Sequence, residues 1–307
     1  MRSMTVSIAS HLQRFSGHLA IATWLLIGIG GATRVMNAGL ACPDWPLCYG
    51  SWLPWQQFNL QVFLEWFHRL DAAVVGCGTL VIALVAWRSR SQLPRFWPWA
   101  ATGALLLVGL QATLGALTVT ELLRFDLVTA HLGTALLFFV SLLGLQAALQ
   151  PRSPLNAGQS LPRLLLLVTA IAVYGQCLLG ALVGSRWALH QCLAGSQLCT
   201  VLQSHLWGIA PTTLLVISLS VVAWLRGQHR WASQIAALLG LQLLLGWGTY
   251  FWHLQIEPLT IGHQMVGAAL LGWIASAGFR SAFSPLSSVS EEKNHDVKQR
   301  QQTEVPA

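Results

Sequence analysis

Four histidines, His68, His131, His205 and His263, each lie near the start of a separate membrane-length apolar segment, and all four segments begin on the same side of the membrane. Imidazole nitrogen is a good ligand for haem iron, and the interior of a helical bundle is a common place to hold a cofactor between facing side chains. Ionisable groups inside a bilayer are costly, so they mark function. A lone intramembrane histidine more often bonds a neighbouring helix. Four at equivalent depth, two in each half of the chain, instead pair as His68 with His131 and His205 with His263, each pair spanning one haem. Glu65 stands one turn before His68 and, at i and i+3, shares its helix face. A carboxylate there can act as a base or stabilise a developing cation. Leu202 holds the corresponding place before His205. The first half therefore carries an acid and the second does not, which suggests a reactive first site and an electron-handling second one. The plainer reading of Glu65 is an interfacial acid paired with Arg69 or Arg34.

Such groups need spans to position them, and the composition supplies spans. Of 307 residues, 54% are hydrophobic and 9% charged, with mean hydropathy +0.58. Soluble domains carry about a quarter charged residues, so this is a polytopic membrane protein. Apolar stretches of the roughly 20 residues that cross a bilayer fall near 17–35, 65–87, 97–118, 127–149, 164–184, 205–225, 232–252 and 259–279. The net charge of +7 is an argument about topology and not about nucleic acid. With eight spans, Arg2, Arg14, Arg88, Arg90, Arg95, Arg152, Arg163, Arg226, Arg230, Arg280, Lys293, Lys298 and Arg300 share one side. Only Arg34, Arg69, Arg124 and Arg186 face the other. The positive-inside bias makes both termini cytoplasmic and sets the histidines toward the outer face. A lipoprotein-like cleavage at Leu40-Ala41-Cys42 is disfavoured by Arg34 and by the seven spans that follow. Residues 281–307 read as a disordered cytoplasmic tail.

The spans repeat. Gly109-Leu110-Gln111, Leu114-Gly115 and Thr118 recur 131 residues on as Gly240-Leu241-Gln242, Leu245-Gly246 and Thr249. His131 and His263 are offset by 132, His68 and His205 by 137. Arg34 ends the first span as Arg186 ends the fifth. Each arginine is suited to a haem propionate, or equally to ordinary snorkelling. The expected fold is all-α, with eight transmembrane helices in two pseudo-twofold-related four-helix bundles. The N-terminal bundle covers 1–150, a cytoplasmic linker 151–163, and the C-terminal bundle 164–280. Outer loops carry Cys42 with Cys48 and Cys192 with Cys199, on the side where disulfides persist. Disulfides are the first reading; free thiols, or a metal site of His190, Cys192 and Cys199, are the alternatives. Cys77 and Cys177 read as small apolar packing residues.

These residues resemble the haem A synthase family. The resemblance runs nearly to residue 280 and rests on Gly31-Ala32-Thr33-Arg34 before the Cys42/Cys48 loop, on Glu65-x-x-His68-Arg69, and on His131, His205 and His263 in order. It implies an oxidoreductase of the bacterial-type cell membrane that oxidises a ring methyl of haem O, in successive steps, to the formyl group of haem A. Carried over, His68 and His131 flank the substrate haem, with Arg34 beside them, and Glu65 assists the oxidation. His205 and His263 ligate a haem b cofactor. The cysteine pairs match the family's outer-loop cysteines. The haem O synthase that supplies the substrate becomes a candidate partner; the electron acceptor, the oxygen source and a homo-oligomeric state stay open. A non-enzymatic membrane dihaem b electron carrier is the rival, and it leaves Glu65 without a task.

Overall fold

The structure is a computed structural model that describes residues 2–150, 160–184 and 198–283. Eight helices long and apolar enough to cross a membrane account for most of them: α1 Arg2–Val35, α2 Leu60–Arg88, α3 Trp97–Thr120, α4 Phe125–Ala148, α5 Arg163–Gly184, α6 Leu198–Leu225, α7 His229–Phe251 and α8 Glu257–Phe283. No strand is formed among the described residues.

Helix number follows from hydropathy, whereas helix ends follow from local chemistry. α1 runs on toward the N-terminus well beyond the apolar stretch, because nothing in Ser10–Gly17 breaks a helix. α2 begins five residues before its apolar stretch, where the Asn59 side chain accepts from Val62 N at 3.0 Å and satisfies one otherwise unpaired N–H. Pro98 sits in the first turn of α3, where its missing N–H costs nothing. Between α6 and α7 the chain turns at Gly227, with φ of 77°.

Helices in lipid gain little from burying leucine against leucine, so close packing and small residues hold them. Leu25, Leu84, Leu106, Leu164 and Leu225 accordingly face outward. In the interior, a Cβ on Gly272 would meet Phe139 at 2.6 Å, and one on Gly144 would meet Phe279 at 3.1 Å. Buried hydroxyls return their hydrogen to their own helix: Ser16 to Leu12 O, Thr23 to Leu19 O and Thr79 to Val75 O. In the first half α1 packs on α2, α2 on α3, α3 on α4 and α4 on α1; α5 to α8 pack in the same cyclic order. The halves meet through α1 and α4 against α8, and through α4 against α5.

Candidate functional site

The histidine rings come together in pairs. His68 on α2 and His131 on α4 have ring centroids 6.4 Å apart, and His205 on α6 and His263 on α8 have centroids 6.5 Å apart. Two imidazoles on opposite sides of one metal stand roughly 6 Å apart, from metal–nitrogen bonds of about 2 Å and the ring radius on each side. No group of three or more His, Cys, Asp or Glu side chains converges among the described residues. A macrocycle would supply the remaining donors to an iron held by either pair. The buried Nδ1 of His68 meets no hydrogen-bond partner among the described residues, and a buried polar atom of that kind calls for a partner from outside them. His263 Nδ1 lies 3.2 Å from Gln242 O, the kind of backbone contact that orients a ligating imidazole. The residues present fit haem.

Each ring is backed by a glycine on the preceding helix. A Cβ at Gly30 would stand 3.0 Å from His68 Cε1, at Gly115 3.3 Å from His131, at Gly180 3.2 Å from His205 and at Gly246 2.7 Å from His263. A side chain at any of the four would push into the imidazole. These glycines were not singled out as site residues from the sequence, although Gly115 and Gly246 occur in the repeated motif. The signal was there, but not the reason for it.

Glu65 is buried, at 3% exposure, and both its oxygens are engaged. Oε2 accepts from Cys42 N at 2.8 Å, and Oε1 pairs with Arg69 Nη2 at 2.6 Å. Arg69 in turn donates to the carbonyls of Asp44 at 2.6 Å, Leu47 at 2.5 Å and Cys42 at 3.3 Å. The loop these carbonyls belong to is closed by a Cys42–Cys48 disulfide. Asp44 tightens its far side by accepting from Tyr49 N and Gly50 N. Against desolvation, which would raise it, the N–H donors of Gly50 and Tyr49 together hold the Asp44 carboxyl below its ordinary value, with the Arg69 charge adding to the effect. The Arg69 pairing and the place beside His68 are thus one arrangement, since Glu65, His68, Arg69, His131 and Arg34 all line the same cavity of about 1070 Å³.

Arg34 also reaches across the halves. Its Nη2 donates to Gln264 Oε1 at 3.0 Å and its Nη1 to Ala181 O at 3.4 Å, while Nε is buried without a partner among the described residues. Gln264, the neighbour of His263, donates back to Ile27 O at 2.9 Å. Cys77, expected to pack inside, is exposed and lines the cavity; Cys177 is partly buried. Arg186, His190 and Cys192 lie outside the described residues, as does the side chain of Cys199.

Residues 13–275 match the COX15-CtaA family, cytochrome oxidase assembly protein. The chain belongs to that family. Among its relatives, the Heme A synthase of Rhizorhabdus wittichii is 27% identical over 84% of this chain and 93% of its own length. The Heme A synthase of Shewanella oneidensis is 32% identical over 57% of each protein, so that alignment spans less than two thirds of it. A Protoheme IX farnesyltransferase of Halobacterium salinarum is 32% identical over 40% of this chain and 26% of its own length. As a COX15-CtaA protein the chain is a multi-pass membrane protein by its helices, and its relatives are named for work on haem.

Proposed function

We propose that the protein is a haem A synthase, taking haem O as substrate in the first half and using a haem b in the second. The observation that carries this reading is the placement of Glu65 in one cavity with the His68–His131 pair, while the second pair has Leu202 at the equivalent place. Bare electron transfer between two haems has no need of that carboxylate.

His68 and His131 hold the substrate macrocycle from its two faces, with Arg34 at the rim to meet a propionate. Glu65, fixed by Cys42 N and Arg69, serves as a preorganised negative charge beside the ring methyl. A fixed carboxylate stabilises positive charge developing at that carbon without reorganising during the step. Two successive oxidations, each removing two electrons and adding one hydroxyl at the methyl carbon, give a gem-diol. Loss of water then leaves the formyl group. His205 and His263 would hold the haem b, which when bound would supply one-electron chemistry toward an acceptor outside the chain. The charge distribution sets both termini in the cytoplasm and both sites toward the outer face of a bacterial-type cell membrane. The haem O synthase is the natural donor of substrate.

The test is expression in a bacterium that makes haem O but no haem A, followed by haem extraction, chromatography and mass spectrometry. Haem A, or its hydroxymethyl precursor, is the expected product. A folded, haem-loaded protein that yields only unmodified haem would sink the proposal in favour of the dihaem carrier.

A further inference from the structure

The cavity is longer than a macrocycle held at the histidines requires. Besides the groups around His68, it is lined on α2 as far as Leu80 and on α3 as far back as Leu105. From His68 to Leu80 the helix advances about 18 Å at about 1.5 Å per residue. The lower arm therefore runs deep into the apolar part of the span, walled by α2 and α3 and also by Thr23 and Ile27 on α1 and Phe138 on α4. Its walls are small or apolar: Ala73, Gly76 and Cys77 on α2, Val108 and Ala112 on α3. Ala73, Cys77 and Ala112 are exposed and line the arm. At Gly76 the helices come close, a Cβ there meeting Val108 at 3.4 Å.

The second half carries larger residues at four of the corresponding positions, while Ala73 is matched by Ala210 and Leu105 by the smaller Ala236. Taking the histidine offset of 137 for α2 onto α6, and the motif offset of 131 for α3 onto α7, Ala72, Gly76, Cys77 and Ala112 correspond to Ile209, Thr213, Leu214 and Leu243. All four changes add volume, and all lie on the stretch that forms the arm in the first half.

We propose that this lower arm is the binding site for the linear isoprenoid chain of the substrate haem, and that Gly76, Cys77 and Ala112 select for a tailed haem at the first site. The inference rests on the haem O reading and names the part of that substrate the arm holds. The chain hangs from one edge of the macrocycle, enters between α2 and α3, and lies along the helix axes past Cys77 toward Leu80. Its burial against apolar walls gives affinity that a tailless haem lacks. Leucine at Cys77 and Ala112, the types found at the matching second-half positions, narrows the arm.

The experiment uses the full chain in lipid nanodiscs, purified from cells that make haem B but not haem O. Bound haem is exchanged against haem O, haem B, or a haem O analogue bearing hydroxyethyl in place of the hydroxyfarnesyl group, and read by mass spectrometry. Wild type should prefer haem O to the tailless analogue by about tenfold or more. Cys77→Leu with Ala112→Leu should remove that preference while haem B exchange stays within about twofold. Val74→Leu, on the neighbouring exposed face of α2, should change neither. Equal affinity of wild type for haem O and the hydroxyethyl analogue overturns the inference with no substitution involved. So does unchanged haem O preference in the double variant, or in Cys77→Val with Ala112→Val should the bulkier pair fail to fold. A wild type that makes haem A in cells while showing no tail preference would fell this inference alone; one that makes no haem A would fell the haem O reading.

Discussion

Glu65 has no spare oxygen. One faces a loop N–H and the other a guanidinium, so its ionised form is matched to two donors. Glu65→Gln keeps the shape but gives one of those donors an amide NH2 to face. Haem A formation per bound haem should fall about 100-fold or more, in the range for loss of a positioned catalytic group. Haem content should hold, and both quantities come from chromatography of extracted haem. Arg69 stands behind Glu65 with hydrogen bonds to three loop carbonyls. Arg69→Gln should therefore free the loop and leave Glu65 as a buried unpaired charge. Reduction of the Cys42–Cys48 disulfide by dithiothreitol, followed by thiol labelling and mass spectrometry, should then be about tenfold faster, since access limits exchange. An unchanged rate would mean that the Asp44 contacts hold the loop alone. The shared face of Glu65 and His68 was legible from their spacing. Arg69's anchoring was not, because its partners are backbone carbonyls, which look the same in every sequence until the path of the chain is known.

At the level of helices, hydropathy gave eight segments, and the structure has eight helices of spanning length. The bilayer leaves a spanning segment little choice, since every backbone polar group must be satisfied within the helix. The ends of α1, α2 and α6 were not legible, because a helix continues past its apolar stretch until a cap such as Asn59 stops it. What the helices must do for the site is let four imidazoles approach the preceding helix closely, and this falls to Gly30, Gly115, Gly180 and Gly246. The tightest of these approaches is at Gly246 and the loosest at Gly115. Gly246→Ala should displace His263 and reduce second-site haem to less than about half of wild type, whereas Gly115→Ala should cost the first site less. The pyridine haemochrome ratio of haem to protein reads both. Equal losses would show that the contacts relax and that the distances do not rank them. The recurrence of Gly115 and Gly246 in the repeat was visible in the sequence; that a ring lies against each depends on helix rotation, which hydropathy fixes only loosely.

Across the whole molecule, two consecutive residues of α8, next to the ring of His263 that pairs with His205, tie the halves together. Gln264 bonds Ile27 O and Arg34, and Met265 O accepts from the Trp24 indole at 2.9 Å. Met265 also fills the space at Gly28. These partners lie on the stretch of α1 that contains Gly30, the residue behind His68. A shift of α8 that moves one ligand must therefore move the helix that supports the other site, which is how packed elements couple two sites. Gln264→Leu removes this bridge without touching a histidine. It leaves Ile27 O with its helical partner alone and takes from Arg34 Nη2 its acceptor, the guanidinium keeping Ala181 O at 3.4 Å, a loss of about 1–3 kcal/mol in stability by the cost of an unpaired buried donor. The variant should unfold at lower temperature in detergent. It should also weaken haem O binding in the first half and shift the reduction potential of the haem b in the second, measured by titration of the purified protein. Were only the second-half potential to move, α8 would be acting locally on His263 and the bridge through Arg34 would carry nothing between the sites. Movement of both, with Gln242→Leu altering the second site alone because its amide faces His263 and Gly267 within the second half, would place the connection in the α1–α8 seam.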